Sequence, residues 1–299
     1  MTPSRRDIEF SSEGDAVRGW FYPGEGSHAP CPAIIMAHGF GAVKEMYLDR
    51  YAETFAAAGF AVLVFDYRRL GASDGTPRQE IDPAAQIEDY RNAISWMSAQ
   101  PDVDAKRIGL WGTSYSGGHV LVLAATDPRV KCVVSQVPTI SGNAVGKRRF
   151  TPETLAPLLE AFHRDRKARM DGAGPEMRTL VSHDPADAPV YAAAEAVDWY
   201  QSAAKRGGHW ENRVTLRSIE YSRAYEPGAW VPLISDCPLL MIVAREDVVT
   251  PADLALAAYA TAPDVKQLLE IDGGHFAAYV EAFAETSSAA QRWFSEHLM

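Results

Sequence analysis

No apolar run in this chain is long enough to cross a bilayer. The longest, Phe55 to Phe65, is broken at Gly59 and falls well short of the roughly 20 residues a spanning helix needs. The opening stretch, MTPSRRDIEF, lacks the apolar core of a secretory leader, so neither leader nor anchor is expected. Cysteine is scarce as well. Cys31, Cys132 and Cys237 are odd in number, widely spaced and without a C-x-x-C pair. That excludes a disulfide scaffold and a thiolate zinc site as organising devices. Cys132 lies in an apolar run and reads as a small core residue. A reducing compartment, most simply the cytoplasm, is the expected location, and no metal or cofactor is called for. Basic residues are outnumbered too: 29 Lys and Arg face 39 Asp and Glu, a net charge of −10. A general nucleic-acid binder needs clustered cations. The local runs Lys147 to Arg149 and Arg164 to Arg169 read as solvated helix faces. The expected partner is a small molecule, not nucleic acid or membrane, with a homodimer as the assembly allowed for.

What is present is an ordinary globular composition, 47% hydrophobic and 23% charged over 299 residues. That length suits one α/β domain with an inserted subdomain. Buried strands are expected at Ala33–Ala37, Ala61–Phe65, Ile108–Trp111 and Val130–Val137. Between them the pattern predicts helices at Tyr47–Ala58, after Asp82-Pro83, and at Tyr115–Thr126. Asp7–Ser12 and Val17–Tyr22 suit an antiparallel edge hairpin. Strand–helix–strand repetition implies right-handed crossovers and a mostly parallel sheet flanked by helices. The rhythm breaks at Pro138. It resumes with a strand at Pro238–Val243, a helix after Pro251, a strand at Leu268–Ile271 and a closing helix. About a hundred residues are too many for a plain connection. The division expected is therefore a core of 1–138 and 237–299 with a helical cap, 139–236. Within the cap, helices are expected from Thr151-Pro152, bent or delayed by Pro157, and across Pro189–Arg206.

In Gly109–Gly118, GLWGTSYSGG, two serines follow a strand. A serine on a tight strand-to-helix turn is presented above the sheet edge and needs small neighbours. Ser114 directly follows the strand and has Gly112 two residues before it; Ser116 would lie half a turn inside the helix. Ser114 is the better candidate, Ser116 its rival. A hydroxyl needs a base to become a nucleophile, and His275 in DGGHF, between the last strand and the last helix, is placed for it. His119 reads as local packing, while His28, His163, His183, His209 and His297 take surface or packing roles. An acid must orient the base; Asp247, after the strand that follows the cap, is preferred to its neighbour Glu246. His38-Gly39-Phe40-Gly41 follows the first buried parallel strand, so the backbone N–H groups of Phe40 and Tyr115 are candidates for an oxyanion hole.

These landmarks, MAHGFG, VFDYRRLGASDG, WGTSYSGG, the Asp247 loop and GGHF, resemble the α/β-hydrolase superfamily over nearly the whole chain. Within it the chain is similar to dienelactone-hydrolase-like and X-Pro-peptidase-like hydrolases. Through Trp210–Ser218, WENRVTLRS, it also resembles polyketide acyltransferases and thiohydrolases of fungi and bacteria. In such relatives the position of Ser116 is usually glycine, which implies Ser114 as nucleophile. Dienelactone hydrolase itself, with a cysteine nucleophile and a smaller cap, is less similar. The expected reaction is cleavage of an ester or thioester of a fairly apolar small molecule through an acyl-Ser114 intermediate. The alternatives are acyl transfer to an alcohol, carbon–carbon bond hydrolysis, and a ligand-binding protein without turnover. Aromatics crowd the second half of the cap, and Trp199, Trp210 and Tyr221 are the expected substrate contacts. A strongly anionic substrate is disfavoured, with Arg213, Arg217 and Arg223 as the residues that speak for one.

Overall fold

The computed structural model describes residues 4–26 and 30–299; residues 1–3 of the opening stretch and His28 fall outside them. A hairpin comes first, β1 (Arg6–Ser12) and β2 (Asp15–Tyr22), paired antiparallel. There follow β3 (Cys31–Ala37), α1 (Leu48–Ala57), β4 (Ala61–Phe65), α2 (Pro83–Ser98), β5 (Val103–Thr113), α3 (Tyr115–Thr126) and β6 (Val130–Gln136). Between β6 and the next sheet strand lie α4 (Gly142–Arg149), α5 (Pro152–Met170), β7 (Met177–Thr179), α6 (Ala194–Ala204), β8 (Arg213–Thr215) and α7 (Leu216–Ala224). The chain ends with β9 (Leu239–Ala244), α8 (Ala252–Ala260), β10 (Lys266–Ile271) and α9 (Phe283–Leu298).

The eight-stranded sheet has the order β1-β2-β4-β3-β5-β6-β9-β10. β2 pairs antiparallel with both of its neighbours, β1 and β4; from β4 to β10 every pairing is parallel. Helices cover both faces, so β3, β4 and β9 are buried at every position. This is why they read as unbroken apolar runs and not as alternating ones. The chain has the α/β-hydrolase fold. Its parallel strands all deliver their C-terminal ends to one edge, where loops collect chemistry from distant parts of the sequence.

Local signals act where expected. Gly59, at φ 95°, ends α1 in the left-handed position that a side chain would disfavour. Asp82 caps α2, its carboxylate accepting from the N–H groups of Ala84 and Ala85, with Pro83 as first helical residue. Two helix expectations change. α5 starts at Pro152 and runs through Pro157, so its start is not delayed. Thr151 and Thr154 form a reciprocal cap that holds the first turn together. The expected helix across Pro189–Arg206 begins only at Ala194, because Val190 and Tyr191 bond in extended form to Thr179 and Leu180. The segment is not wholly helical either: β7 and β8 form a short antiparallel ribbon.

The segment between β6 and β9 is tied to the rest by its core. Val197, Trp199, Tyr200 and Val214 join the main hydrophobic cluster, whereas Ala161, Phe162 and Leu216 form a small one of their own. Among the described residues no helix is long and apolar enough to cross a membrane. Cys31, Cys132 and Cys237 are all buried and unbridged.

Candidate active site

β5 passes into α3 through Ser114, whose backbone adopts φ 57° and ψ −114°. A non-glycine residue in that region is strained and persists only where its surroundings hold it. Here the Ser114 N–H donates to Gln136 and its carbonyl accepts from Thr139. The turn is so tight that a Cβ on Gly112 would lie 2.1 Å from the Ser116 carbonyl oxygen. Gly39, on the loop after β3, meets the same turn from the other side; a Cβ there would sit 2.9 Å from the Ser114 Cβ. The glycines are thus steric requirements of bringing two loops against one serine.

His275, two per cent exposed, lies with Nε2 3.0 Å from Ser114 Oγ and Nδ1 2.7 Å from Asp247 Oδ2. Asp247 Oδ1 accepts the N–H groups of Val249 (2.8 Å) and Thr250 (2.7 Å), and Oδ2 accepts the Thr250 hydroxyl (2.8 Å). The carboxylate is therefore fixed by three donors besides the imidazole. Glu246 is exposed on the same loop, its N–H donating to the Gly273 carbonyl. Sequence reading missed Thr250, whose position three residues after Asp247 is the signal of a local Asp-loop bond. It also missed Glu195. This residue of α6 approaches the His275 loop at Gly274; burial raises its carboxyl pKa, against the pull of His275.

The other histidines lie elsewhere. His119 is fully buried between Tyr225 (2.8 Å) and Gln86 (2.9 Å), and burial pushes its pKa down to about 3, so it is a neutral strut. His163, His183 and His209 are exposed, and His297 packs on Trp293. His38 is buried at the end of β3 with its Nδ1 3.0 Å from the Gly39 carbonyl. Below it, Asp66 of the VFDYRRLGASDG stretch binds Lys44 Nζ (2.7 Å), the Lys44 N–H (2.8 Å) and the Ala72 N–H (3.0 Å). That motif braces the loop after β3.

Phe40 and Tyr115 both line the space in front of Ser114. Among the described residues no protein acceptor takes either backbone N–H. The loop carrying Phe40 is pinned from above: Tyr200 donates to the Phe40 carbonyl (2.6 Å), and Trp210 Nε1 to the Gly41 carbonyl (2.9 Å). This changes the expectation for the three aromatics. Trp210 is occupied with Gly41 and stacked on Tyr200. Trp199 stacks on Phe276, beside His275, and lines a small recess together with Ser114 and His275. Tyr221 faces the Arg217 guanidinium. None of the three lines the main cavity.

That cavity, about 680 Å³, opens from Ser114, Phe40 and Tyr115 under α4, α5 and α7. Its apolar wall includes Phe150, Leu158, Val190, Tyr191 and Ile219. Tyr191 sits in the stretch expected to be helical, which hid its role.

Ser116 is fully buried and its hydroxyl shares its one proton between the carbonyls of Ala37 (2.8 Å) and His38 (2.9 Å). It clamps the end of β3 to the turn and does not face the cavity. Ser116→Ala removes this buried hydrogen bond, at a cost of about 1–3 kcal/mol. The expected result is a melting temperature a few degrees lower, with ester turnover kept within about tenfold of the parent. Loss of turnover without loss of stability would instead give the nucleophile's role to Ser116.

Residues 19–276 match the family model described as X-Pro dipeptidyl-peptidase (S15 family). A thiohydrolase of Eupenicillium brefeldianum is 31% identical, covering 97% of this chain and 93% of its own. The quorum-quenching protein AidA of Acinetobacter baumannii is 34% identical, covering 93% and 90%. The polyketide transferase grgF of Penicillium sp. is 32% identical, covering 92% and 90%. The crystal structure of the α/β-hydrolase GrgF from Penicillium sp. sh18 superposes with a TM-score of 0.86 at 29% identity, covering 99% of each chain. With an α/β-hydrolase sheet carrying a buried serine, histidine and aspartate at its C-terminal edge, the chain belongs to the X-Pro dipeptidyl-peptidase (S15) family of α/β-hydrolases and is an esterase-like hydrolase.

Proposed function

We propose that the protein cleaves a carboxylic ester or thioester of a fairly apolar small molecule through an acyl-Ser114 intermediate. The observation that carries this reading is the unbroken hydrogen-bond chain Asp247–His275–Ser114 facing a 680 Å³ cavity with an apolar wall. His275 Nε2 takes the Ser114 proton as Oγ attacks the carbonyl carbon, and Asp247 stabilises the imidazolium through Nδ1–H. The oxyanion is received by the N–H groups of Phe40 and Tyr115, which have no protein acceptor among the described residues. His275 then protonates the departing alcohol or thiol. It next draws a proton from a water whose oxygen attacks the acyl carbon; the acyl–Oγ bond then breaks, His275 returns the proton to Ser114 Oγ, and the acid leaves. Residues 139–236 act in this scheme as the cap, supplying the cavity wall through α4, α5 and α7.

A second reading keeps the acyl-enzyme and replaces water with an alcohol. It is favoured by the roominess of the cavity and by the relatives named polyketide transferase and thiohydrolase. Stopped-flow mixing with p-nitrophenyl butyrate is expected to give a burst of nitrophenolate, one per active site, before the steady state. A steady-state rate that climbs with added acceptor alcohol, with ester as product, supports transfer. An unchanged rate with free acid as product supports hydrolysis. Absence of both burst and turnover would remove the acyl-enzyme reading.

A further inference from the structure

Among the described residues four arginines, Arg149, Arg164, Arg178 and Arg223, line the main cavity, and no aspartate or glutamate does. This distribution runs against a chain in which acids outnumber bases by 39 to 29. Arg178 is neutralised by Glu176 at 2.6 Å. The other three pair with no carboxylate among the described residues. Arg149 lies over the Tyr191 ring and has one long contact, 3.5 Å, to the Val190 carbonyl. Arg164 is exposed at the cavity wall. Arg223 is half-buried, packed on the Phe150 ring, and its Nη1 is buried with no acceptor. A buried guanidinium N–H without a partner is unfavourable until something supplies an oxygen. By contrast, the other two arginines noted in the sequence are spoken for: Arg213 pairs with Glu211 and Arg217 with Glu80.

We propose that the cavity selects substrates in which an apolar arm ends in an anionic group, a carboxylate or a phosphate, received by Arg223 with Arg149 and Arg164. The arrangement keeps the apolar arm expected from the sequence and favours the anionic end that the sequence disfavours, through Arg223, one of the three arginines that speak for it. The apolar wall of Phe150, Leu158 and Ile219 takes the arm and the guanidinium fork takes its end. The same lining offers no carboxylate to hold the α-ammonium of an N-terminal X-Pro dipeptide, so a peptide of that kind is a poor fit. This inference rests on the acyl-Ser114 reading for its kinetic test, and a binding test separates the two.

The anion belongs either to the acyl arm or to the leaving arm, and matched pairs distinguish them. p-Nitrophenyl butyrate against mono-p-nitrophenyl glutarate varies the acyl arm; butyryl-N-acetylcysteamine against butyryl-coenzyme A varies the leaving arm. In at least one pair the anionic member is expected to have the higher kcat/KM. In that pair Arg223→Met is expected to collapse the anionic-to-neutral ratio by about tenfold to a hundredfold, the range of a charge-assisted hydrogen bond. Arg223→Lys should restore part of the ratio, and Arg164→Gln, at an exposed position, should lower it without touching the fold. Binding of glutarate monoamide against butyramide, read by calorimetry, needs no nucleophile. It is expected to favour the anion in the parent and not in Arg223→Met. No anionic preference in either pair together with none in binding, or equal losses on both members of each pair, would overturn the proposal. Anion binding without turnover of any ester would overturn the acyl-enzyme reading and leave the anion site standing.

Discussion

Ser114→Ala is expected to reduce p-nitrophenyl ester turnover to the level set by binding and the oxyanion site, a loss on the order of 10⁶ in kcat. The fold should survive. Alanine keeps the Cβ, the backbone bonds of residue 114 to Gln136 and Thr139 are unaffected, and the lost Oγ has His275 Nε2 as its only hydrogen-bond partner among the described residues. A fluorophosphonate probe should add one mass increment to the parent, mapped to Ser114, and none to Ser114→Ala. Labelling at Ser116, or Ser114→Ala retaining more than a few per cent of turnover, would sink the assignment. The first of these outcomes is disfavoured by the geometry, because the Ser116 hydroxyl is spent on two carbonyls and has no surface in the cavity.

The second large effect is expected at Asp247. Asp247→Asn is nearly isosteric, yet its amide cannot turn freely. The N–H groups of Val249 and Thr250 both point at Oδ1 and demand an acceptor there. The amide oxygen must take that place, which puts the NH₂ opposite His275 Nδ1. An imidazole facing a donor presents its lone pair at Nδ1 and carries its proton on Nε2, toward Ser114. In that tautomer it cannot remove the serine proton, and a loss on the order of 10⁴ in kcat is expected, with KM little changed. The check is a kcat and KM determination alongside the rate of fluorophosphonate labelling, which should fall in parallel. Labelling at the parent rate, with kcat reduced, would mean that Asp247 acts on the deacylation step or on loop structure and not on the nucleophile's base.

Much of this arrangement was legible from the residues in order. Each element of the candidate triad and the Phe40 loop follows a strand end, buried in β3, β5 and β9 and mostly part-exposed in β10, and strand ends are local features: a run of strand-forming residues followed by glycine or a turn residue. The preference for Asp247 over Glu246 was read from loop position alone, and the structure turns Asp247 inward and leaves Glu246 exposed. That the hydroxyl of Ser116, the rival serine, clamps β3 depends on a contact 79 residues away.

The segment between β6 and β9 is the least legible in the sequence, for a physical reason. A helix or strand imposes a period, so a side chain's direction follows from its place in the pattern. An irregular segment has no period. Tyr191 lies in extended chain and lines the cavity, whereas Trp210, chosen for its size and aromatic character, bonds to Gly41 across 169 residues of sequence. Aromatic content marked the region as important and could not say which rings hold the loops and which face the substrate.

By itself, then, the sequence determined the parallel sheet, the strand-end positions of serine, aspartate and histidine, and the glycines that let their loops approach. These rest on periodicity and on steric rules that act within a few residues. Only the tertiary structure decided which arginines go unpaired, which aromatics act as struts, and that the cavity beside Ser114 is cationic in an acidic protein. Charge pairing and side-chain direction in irregular chain are set by neighbours brought together across the fold, and no local pattern records them.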